Sequence, residues 1–155
     1  MGAFADDAQA LLREELAARS ERAWVTEHRV GRTPVDVAAP DGDVAVFVEL
    51  EFRRADPANN TVKIARHAAE GEVEKSVVLI QAFSRYYETE RGISSKRANA
   101  AFVGGLASDG VAGFAYRSLD FDVAPPKRGD DPPDNWEAAV ESLAARVASV
   151  DVDAV

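Results

Sequence analysis

The chain has 155 residues, which suits one domain with a single core and is too short for two ordinary ones. It has no cysteine, so disulfides and thiolate metal sites are excluded. No apolar run is long enough to cross a bilayer, and the N-terminus lacks the basic-then-apolar order of a signal peptide. We therefore expect a cytoplasmic protein without membrane association.

The charge balance is unusual. Acidic residues outnumber basic ones by 27 to 18, only four of the basic residues are lysine, and the apolar residues are largely alanine and valine. This composition is typical of a protein kept soluble in concentrated salt, such as a haloarchaeal cytosol. A net charge of −9 ordinarily argues against a polyanionic partner. Molar salt screens such repulsion within about 3 Å, so the acidity does not exclude nucleic acid as a ligand.

The first half of the chain is predicted as a helix followed by three strands. Apolar residues at helical spacing predict the helix over residues 6–19. The strands are predicted over residues 24–30, 34–39 and 44–52, and Pro40-Asp41-Gly42-Asp43 is a strong turn signal between the last two. Alternate residues of the third strand form a wholly apolar face, which must pack against other elements.

The second half alternates helices and strands. Asp56-Pro57 suits an N-cap and a first turn and predicts a helix to about residue 70. The apolar run at residues 77–80 predicts a strand buried on both faces, joined to the preceding strand by a right-handed parallel crossover. A loop is expected over residues 85–91. The remaining predicted elements are a helix capped by Ser94 or Ser95 and ending at Leu106, a strand over 111–121, and a final helix with an Asp134–Glu137 capping box.

The resulting order, α-β-β-β-α-β-α-β-α, predicts a single-domain α/β fold with a mixed β-sheet flanked by helices. Residues 1–123 are expected to form the main body and residues 124–133 an exposed Pro-rich linker. Residues 134–150 then form a C-terminal helix packed on the same domain.

Three carboxylates, Asp36, Glu49 and Glu51, are expected on one face of the predicted hairpin. Opposite residues of an antiparallel pair share a face, so any loop of even length places Asp36 with the two glutamates. If Ala39 lies opposite Val44, Asp36 is diagonal to Glu49. Oxygen ligands of this kind suit Mg²⁺, Mn²⁺ or Ca²⁺, and a bound Mg²⁺ activates water and polarises a phosphodiester. The alternative is ordinary solvated acids, which this acidic chain has in abundance.

These residues resemble the PD-(D/E)xK nuclease superfamily, the restriction-endonuclease-like fold. Its core is a helix, a three-strand meander, a crossover helix and a further strand, the order predicted here over residues 6–83. Pro34-Val35-Asp36 stands where the family has its first acid, and Glu49-Leu50-Glu51 stands where it has (D/E)xK. Proline precedes the acid by two residues rather than one, and Glu51 occupies the place of the lysine.

The resemblance implies roles for these positions. Asp36, Glu49 and the carbonyl of Leu50 would bind Mg²⁺ or Mn²⁺, and Glu51 would be a second metal ligand or a base. Glu15 matches the first-helix glutamate that some members, including archaeal Holliday-junction resolvases, use as an extra metal ligand. Some members carry the lysine on the following helix, where Lys63 is the candidate; the alternative is an ordinary surface cation.

A basic and aromatic set gives candidate contacts for DNA. Its arginines suit phosphates and its tyrosine suits stacking, although salt bridges and a packed loop are the alternative. The set comprises Arg53, Arg54, Arg85, Tyr86, Lys96 and Arg97.

The resemblance implies a divalent-metal-dependent nuclease that cuts DNA. A domain this small buries little DNA alone, so a homodimer or a partner chain is expected. One alternative is a structure-selective, Holliday-junction-type resolvase. A second is a catalytically inactive nuclease-fold module that binds nucleic acid or protein, and a third is an unrelated α/β module.

Overall fold

The structure is a computed structural model that describes residues 2–153 and 155. In these residues four helices and seven strands follow one another, with one turn of 3-10 helix at Arg85–Tyr87. In chain order they are α1 (Ala3–Arg19), β1 (Val25–Val30), β2 (Thr33–Ala39), β3 (Val44–Glu51), α2 (Ala58–Ala69), β4 (Ser76–Phe83), β5 (Glu88–Thr89), β6 (Gly92–Ile93), α3 (Ser95–Gly110), β7 (Phe114–Asp120) and α4 (Trp136–Ala148).

Five of the strands form one mixed sheet in the order β1-β2-β3-β4-β7. β1, β2 and β3 are an antiparallel meander, whereas β3, β4 and β7 run parallel to one another. β5 and β6 make a separate small hairpin. The predicted class, a single-domain α/β fold with a mixed sheet flanked by helices, is confirmed.

The central strands β3 and β4 are buried on both faces because helices cover each face of the sheet, whereas the edge strand β1 is largely exposed. One face packs against α1 and α4, where Leu12, Leu16 and Leu143 are fully buried. The other packs against α2 and α3, where Phe47 and Ile64 are fully buried. Each such side chain contributes about 1.5–3 kcal/mol through its burial. The alternation predicted for β3 is therefore correct, with both of its faces in a core.

Two predicted helix starts are corrected. α2 begins at Ala58 with Pro57 as its N-cap, so Asp56 lies one residue too early to cap it. α4 has Asn135 as its N-cap without a side-chain cap, so the predicted capping box is wrong. The N–H of Trp136 bonds to the Pro133 carbonyl, which places Asp134 inside a turn that precedes the helix.

The other boundaries differ by a few residues. α1 begins three residues earlier than predicted, at Ala3, and α3 runs four residues further, to Gly110. β4 is longer than its apolar core and β7 is shorter than predicted. The expected loop at residues 85–91 contains the 3-10 turn and β5. No described helix combines the length and apolarity needed to span a membrane.

A buried histidine ties the β1–β2 turn to the end of α2. His67 Nε2 lies 3.0 Å from the Thr33 hydroxyl, and its Nδ1 lies 2.7 Å from Glu72 Oε2. Gly31 turns the chain with φ +57° directly beside them, and an added Cβ there would meet Glu72 Oε2 at 2.9 Å. Glycine is required at this position for both its backbone conformation and its small size.

Candidate active site

Asp36 lies opposite Glu49 in the β2–β3 pair. The observed register pairs Val37 with Val48 and Ala39 with Val46, so its continuation brings Asp36 and Glu49 face to face. The predicted register, with Ala39 opposite the first residue of β3, is wrong by two residues. Pro40 has no N–H with which to extend the ladder. The connection between paired residues is two residues longer than in the predicted register, and this even difference keeps Asp36 on the same face as Glu49 and Glu51.

The Asp36 carboxylate is fixed at both oxygens. Oδ1 accepts a hydrogen bond of 3.0 Å from Gln9 Nε2 on α1, and Oδ2 accepts one of 2.8 Å from the Leu50 backbone N–H. The Leu50 N–H thus bonds to a side chain where the β2–β3 ladder opens. Across the sheet, Glu27 in β1 has the strained φ of +53°, which marks the same local irregularity.

The carboxyl groups of Asp36 and Glu49 face each other, and burial disfavours the ionised form of both. Their carboxyl groups lie within hydrogen-bonding reach, and Glu49 is only 2 % exposed. Burial raises the pKa of Glu49 well above 4.5, and the negative charges of Asp36 and Glu51 raise it further. Burial also raises the pKa of Asp36, although the Leu50 N–H and the Glu49 hydrogen bond oppose that rise. Ionisation is therefore opposed more strongly at Glu49 than at Asp36.

Glu51 lies in a separate buried network of neutral polar side chains. Its Oε1 accepts hydrogen bonds from Gln81 Nε2 at 2.8 Å and from Asn60 Nδ2 at 3.4 Å. Gln81 Oε1 in turn accepts from the Thr61 hydroxyl at 2.7 Å and the Tyr116 hydroxyl at 2.8 Å. Burial raises the pKa of Glu51, which is 1 % exposed. The network fixes one carboxylate oxygen and leaves the other available.

Arg54 is the cation that accompanies the acids. Its Nε lies 3.4 Å from Glu51 Oε2, and its Nη1 donates to Asn60 Oδ1 at 3.1 Å. Its positive charge lowers the pKa of all three carboxyl groups, in opposition to burial. Lys63 lies partly buried on α2, and within residues 2–153 and 155 it makes no ion pair or side-chain hydrogen bond.

Two buried carboxylate oxygens, Glu49 Oε1 and Glu51 Oε2, have no hydrogen-bond partner in the described part of the chain. Oxygen-only donors of this kind fit Mg²⁺ or Mn²⁺. Asp36 and Glu49, already in contact, fit such an ion best. Across the described ranges no three histidine, aspartate or glutamate side chains are arranged around one metal position, because Glu51 turns toward Gln81 and Asn60.

The residue of α1 that reaches the site is Gln9. Glu15, the predicted extra ligand, forms an ion pair with Arg19 one turn along the helix. Gln9 was missed, although a polar residue within the buried stripe that contains Ala8 and Leu12 is a signal of a buried hydrogen bond. Leu50 contributes its N–H to Asp36, while the metal-binding role of its carbonyl stays a prediction.

Besides Arg54, two more of the candidate DNA contacts are engaged in ion pairs. Arg97 is buried, donates to Asp120 at 2.6 Å and lies over the Phe83 ring, so it holds α3 against the sheet. Arg85 forms an exposed pair with Asp122.

Three other candidates form an exposed cluster around Tyr86. Lys96 Nζ donates to the Tyr86 hydroxyl at 3.0 Å, and the Arg53 guanidinium lies 5.2 Å from the ring centroid. The hydrogen bond from Lys96 and its charge lower the pKa of Tyr86. Arg53 also donates to the Pro125 carbonyl at 2.7 Å, which ties the end of β3 to the segment after β7.

An open cleft of about 970 Å³ begins at Glu51. We call it the α1 cleft, because it runs between the first turn of α1 and residues 125–132. Of the three candidate acids only Glu51 lines this cleft, whose volume is of the size that ligand sites in proteins have.

No family model matches this chain, and no curated protein or solved structure matches it.

Proposed function

We propose that this protein is a divalent-metal-dependent nuclease that hydrolyses DNA phosphodiester bonds. The observation that carries the proposal is Glu49 Oε1, a buried carboxylate oxygen that has no hydrogen-bond partner among the described residues. It lies between Asp36 and Glu51, whose Oε2 meets only the Arg54 guanidinium, at 3.4 Å. A buried carboxylate oxygen without a partner is strongly unfavourable, so its position suggests a ligand that completes it. The match in order of elements with the restriction-endonuclease-like core supports the same class.

Asp36 and Glu49 would hold Mg²⁺ or Mn²⁺ in this proposal. The raised pKa of Glu49 implies that metal binding would release a proton from this pair, because carboxylate ligands bind metals in the ionised form. A bound divalent cation lowers the pKa of water and polarises a phosphoryl oxygen. Gln9 and the Leu50 N–H hold Asp36 in a single orientation, which reduces the entropy lost on binding.

Glu51 and Arg54 would divide the role of the missing lysine. Arg54 stays protonated at every relevant pH, so it supplies charge to a phosphate and cannot act as a base. Glu51 Oε2 accepts no hydrogen bond from the described residues and meets only the Arg54 guanidinium. Burial raises the pKa of this carboxyl group, although the Arg54 charge opposes that rise, as suits a group that takes a proton from attacking water. Gln81 and Asn60 keep the opposite oxygen fixed during that transfer.

A second candidate function is a catalytically inactive nuclease-fold module that binds nucleic acid. It is favoured by one observation: the described residues contain no ready-made site of three metal ligands. The Arg54–Glu51 contact would then be a permanent ion pair. In either case we expect a homodimer or a partner chain, because one domain of this size covers little DNA.

A cleavage assay tests the proposal on linear duplex, single-stranded and four-way-junction DNA with Mg²⁺ or Mn²⁺ in concentrated KCl. We expect Glu49→Gln and Glu51→Gln to abolish cutting, and Arg54→Ala to slow it about 100-fold. Glu141→Gln, an exposed acid on α4, is the matched control and retains full rate. Preference for the junction would identify a resolvase. DNA binding without cutting by the native protein would favour the inactive module.

A further inference from the structure

The α1 cleft combines an apolar floor with a cationic rim. Phe4 and Phe52 line its floor with ring centroids 5.4 Å apart, and Pro125 lines it from the opposite side. Lys127 and Arg128 are exposed on the rim. The cleft lining as a whole holds four cationic side chains, Arg53, Arg54, Lys127 and Arg128, and three acidic ones, Asp7, Glu51 and Asp130. This small positive balance contrasts with the net charge of −9 of the whole chain.

Two further features face the same cleft. Arg53 and Arg54 line it where it meets the candidate active site, and the buried Glu51, whose Oε2 lies 3.4 Å from Arg54 Nε, is at that end. The first turn of α1 forms the other wall, and Gly2 provides no side chain to cap it.

An apolar floor of this kind cannot contact the base faces of paired duplex DNA, because the faces of stacked bases are covered by their neighbours. An unpaired base exposes a flat apolar face, and its phosphate needs cations within one nucleotide of that face. The cleft offers both, and its volume of about 970 Å³ admits a single nucleotide with room for water. Burial of the base retains strength in concentrated salt, where charge attraction alone is screened.

We propose that the α1 cleft binds an unpaired nucleotide next to the phosphate that is cut, so that the substrate is DNA that is single-stranded at that point. This inference rests on the proposed nuclease function. The base lies against Phe4 and Phe52, and its phosphate lies between the first turn of α1 and the side chains of Lys127 and Arg128. Arg53 holds the segment after β7 in place through its bond to Pro125.

The test measures binding of a fluorescent single-stranded hexathymidylate and of a blunt duplex in EDTA and concentrated KCl, by anisotropy. Ala3→Trp fills the cleft from its rim without removing a core contact, because Ala3 is exposed. Ala18→Trp places the same side chain on an exposed site about 22 Å further along α1 and is the matched control. We expect Ala3→Trp to weaken hexathymidylate binding about tenfold and Ala18→Trp to leave it unchanged.

The double variant Lys127→Ala/Arg128→Ala gives a second measurement that leaves the helix and the core intact, and we expect a similar loss. Three results would each overturn the inference. The first is equal binding by the native protein and both of these cleft variants, the second is tighter binding of the duplex, and the third is no binding of hexathymidylate. Failure of the nuclease proposal looks different: hexathymidylate binds in the cleft, yet no DNA is cut when Mg²⁺ or Mn²⁺ is added. If duplex DNA is cut as fast as single strands, the nuclease proposal stands and the proposal that the α1 cleft binds an unpaired nucleotide is rejected.

Discussion

Replacement of Glu49 by glutamine removes a buried acid whose ionisation the fold opposes. Burial and the charge of Asp36 raise the pKa of Glu49 above 4.5. At pH values between 4.5 and the raised pKa, Glu49 therefore keeps its proton in the folded protein and has lost it in the unfolded chain. The stability of the native, metal-free protein therefore falls at this site as pH rises from about 4.5 toward the raised pKa. Glutamine has no proton to lose and avoids that penalty.

The size of the effect follows from linkage. Between the two pKa values, the Glu49→Gln variant should gain about 1.4 kcal/mol relative to the native protein for each pH unit. Urea unfolding in EDTA and concentrated KCl, at several pH values from 4 to 8, measures this difference. Glu141→Gln, on an exposed part of α4, should show no such slope. A constant difference between Glu49→Gln and native protein across the pH range would refute a raised pKa at Glu49.

Two other regions give independent predictions. Spectrophotometric titration should find the pKa of Tyr86 below 10, and Lys96→Met should return it toward 10, because Lys96 supplies the hydrogen bond and charge that lower it; an unchanged titration would place Lys96 away from the ring. Gly104→Ala should destabilise the protein by about 1–3 kcal/mol, since its Cβ would lie 2.3 Å from the Tyr116 ring. Gly105→Ala has open space, so it should stabilise the helix by about 0.5–1 kcal/mol in the same thermal or urea unfolding experiment; equal effects of the two would contradict the packing of α3 on β7.

The repeating patterns of the sequence predicted the fold well. α1 was found from its apolar stripe, and β3 and β4 from alternation and from an unbroken apolar run. These signals depend on the period of a single element and need no knowledge of its neighbours. The capping box predicted at Asp134 is wrong because residue types at the right spacing do not show whether a turn lies between them and the start of the helix.

The site was predictable only in part, because spacing along the chain does not fix distances between elements. The acids were identified from one strand pair, but the position of Asp36 depended on the length of a loop. Arg54 was considered as a phosphate contact, and its place beside Glu51 depends on where α2 starts. Tyr116 reaches the network from a strand 35 residues beyond Gln81, a relation that only the folded sheet establishes.

The most direct test of the central claim is calorimetric titration of Mn²⁺ into the native protein and into Glu49→Gln, in concentrated KCl and in two buffers of different ionisation heat. If Asp36 and Glu49 bind the cation, the native protein takes up Mn²⁺ and releases a proton, and both signals are lost in Glu49→Gln. Binding of Mn²⁺ that is equal in the two proteins, or that releases no proton, would contradict the assignment of Asp36 and Glu49 as metal ligands.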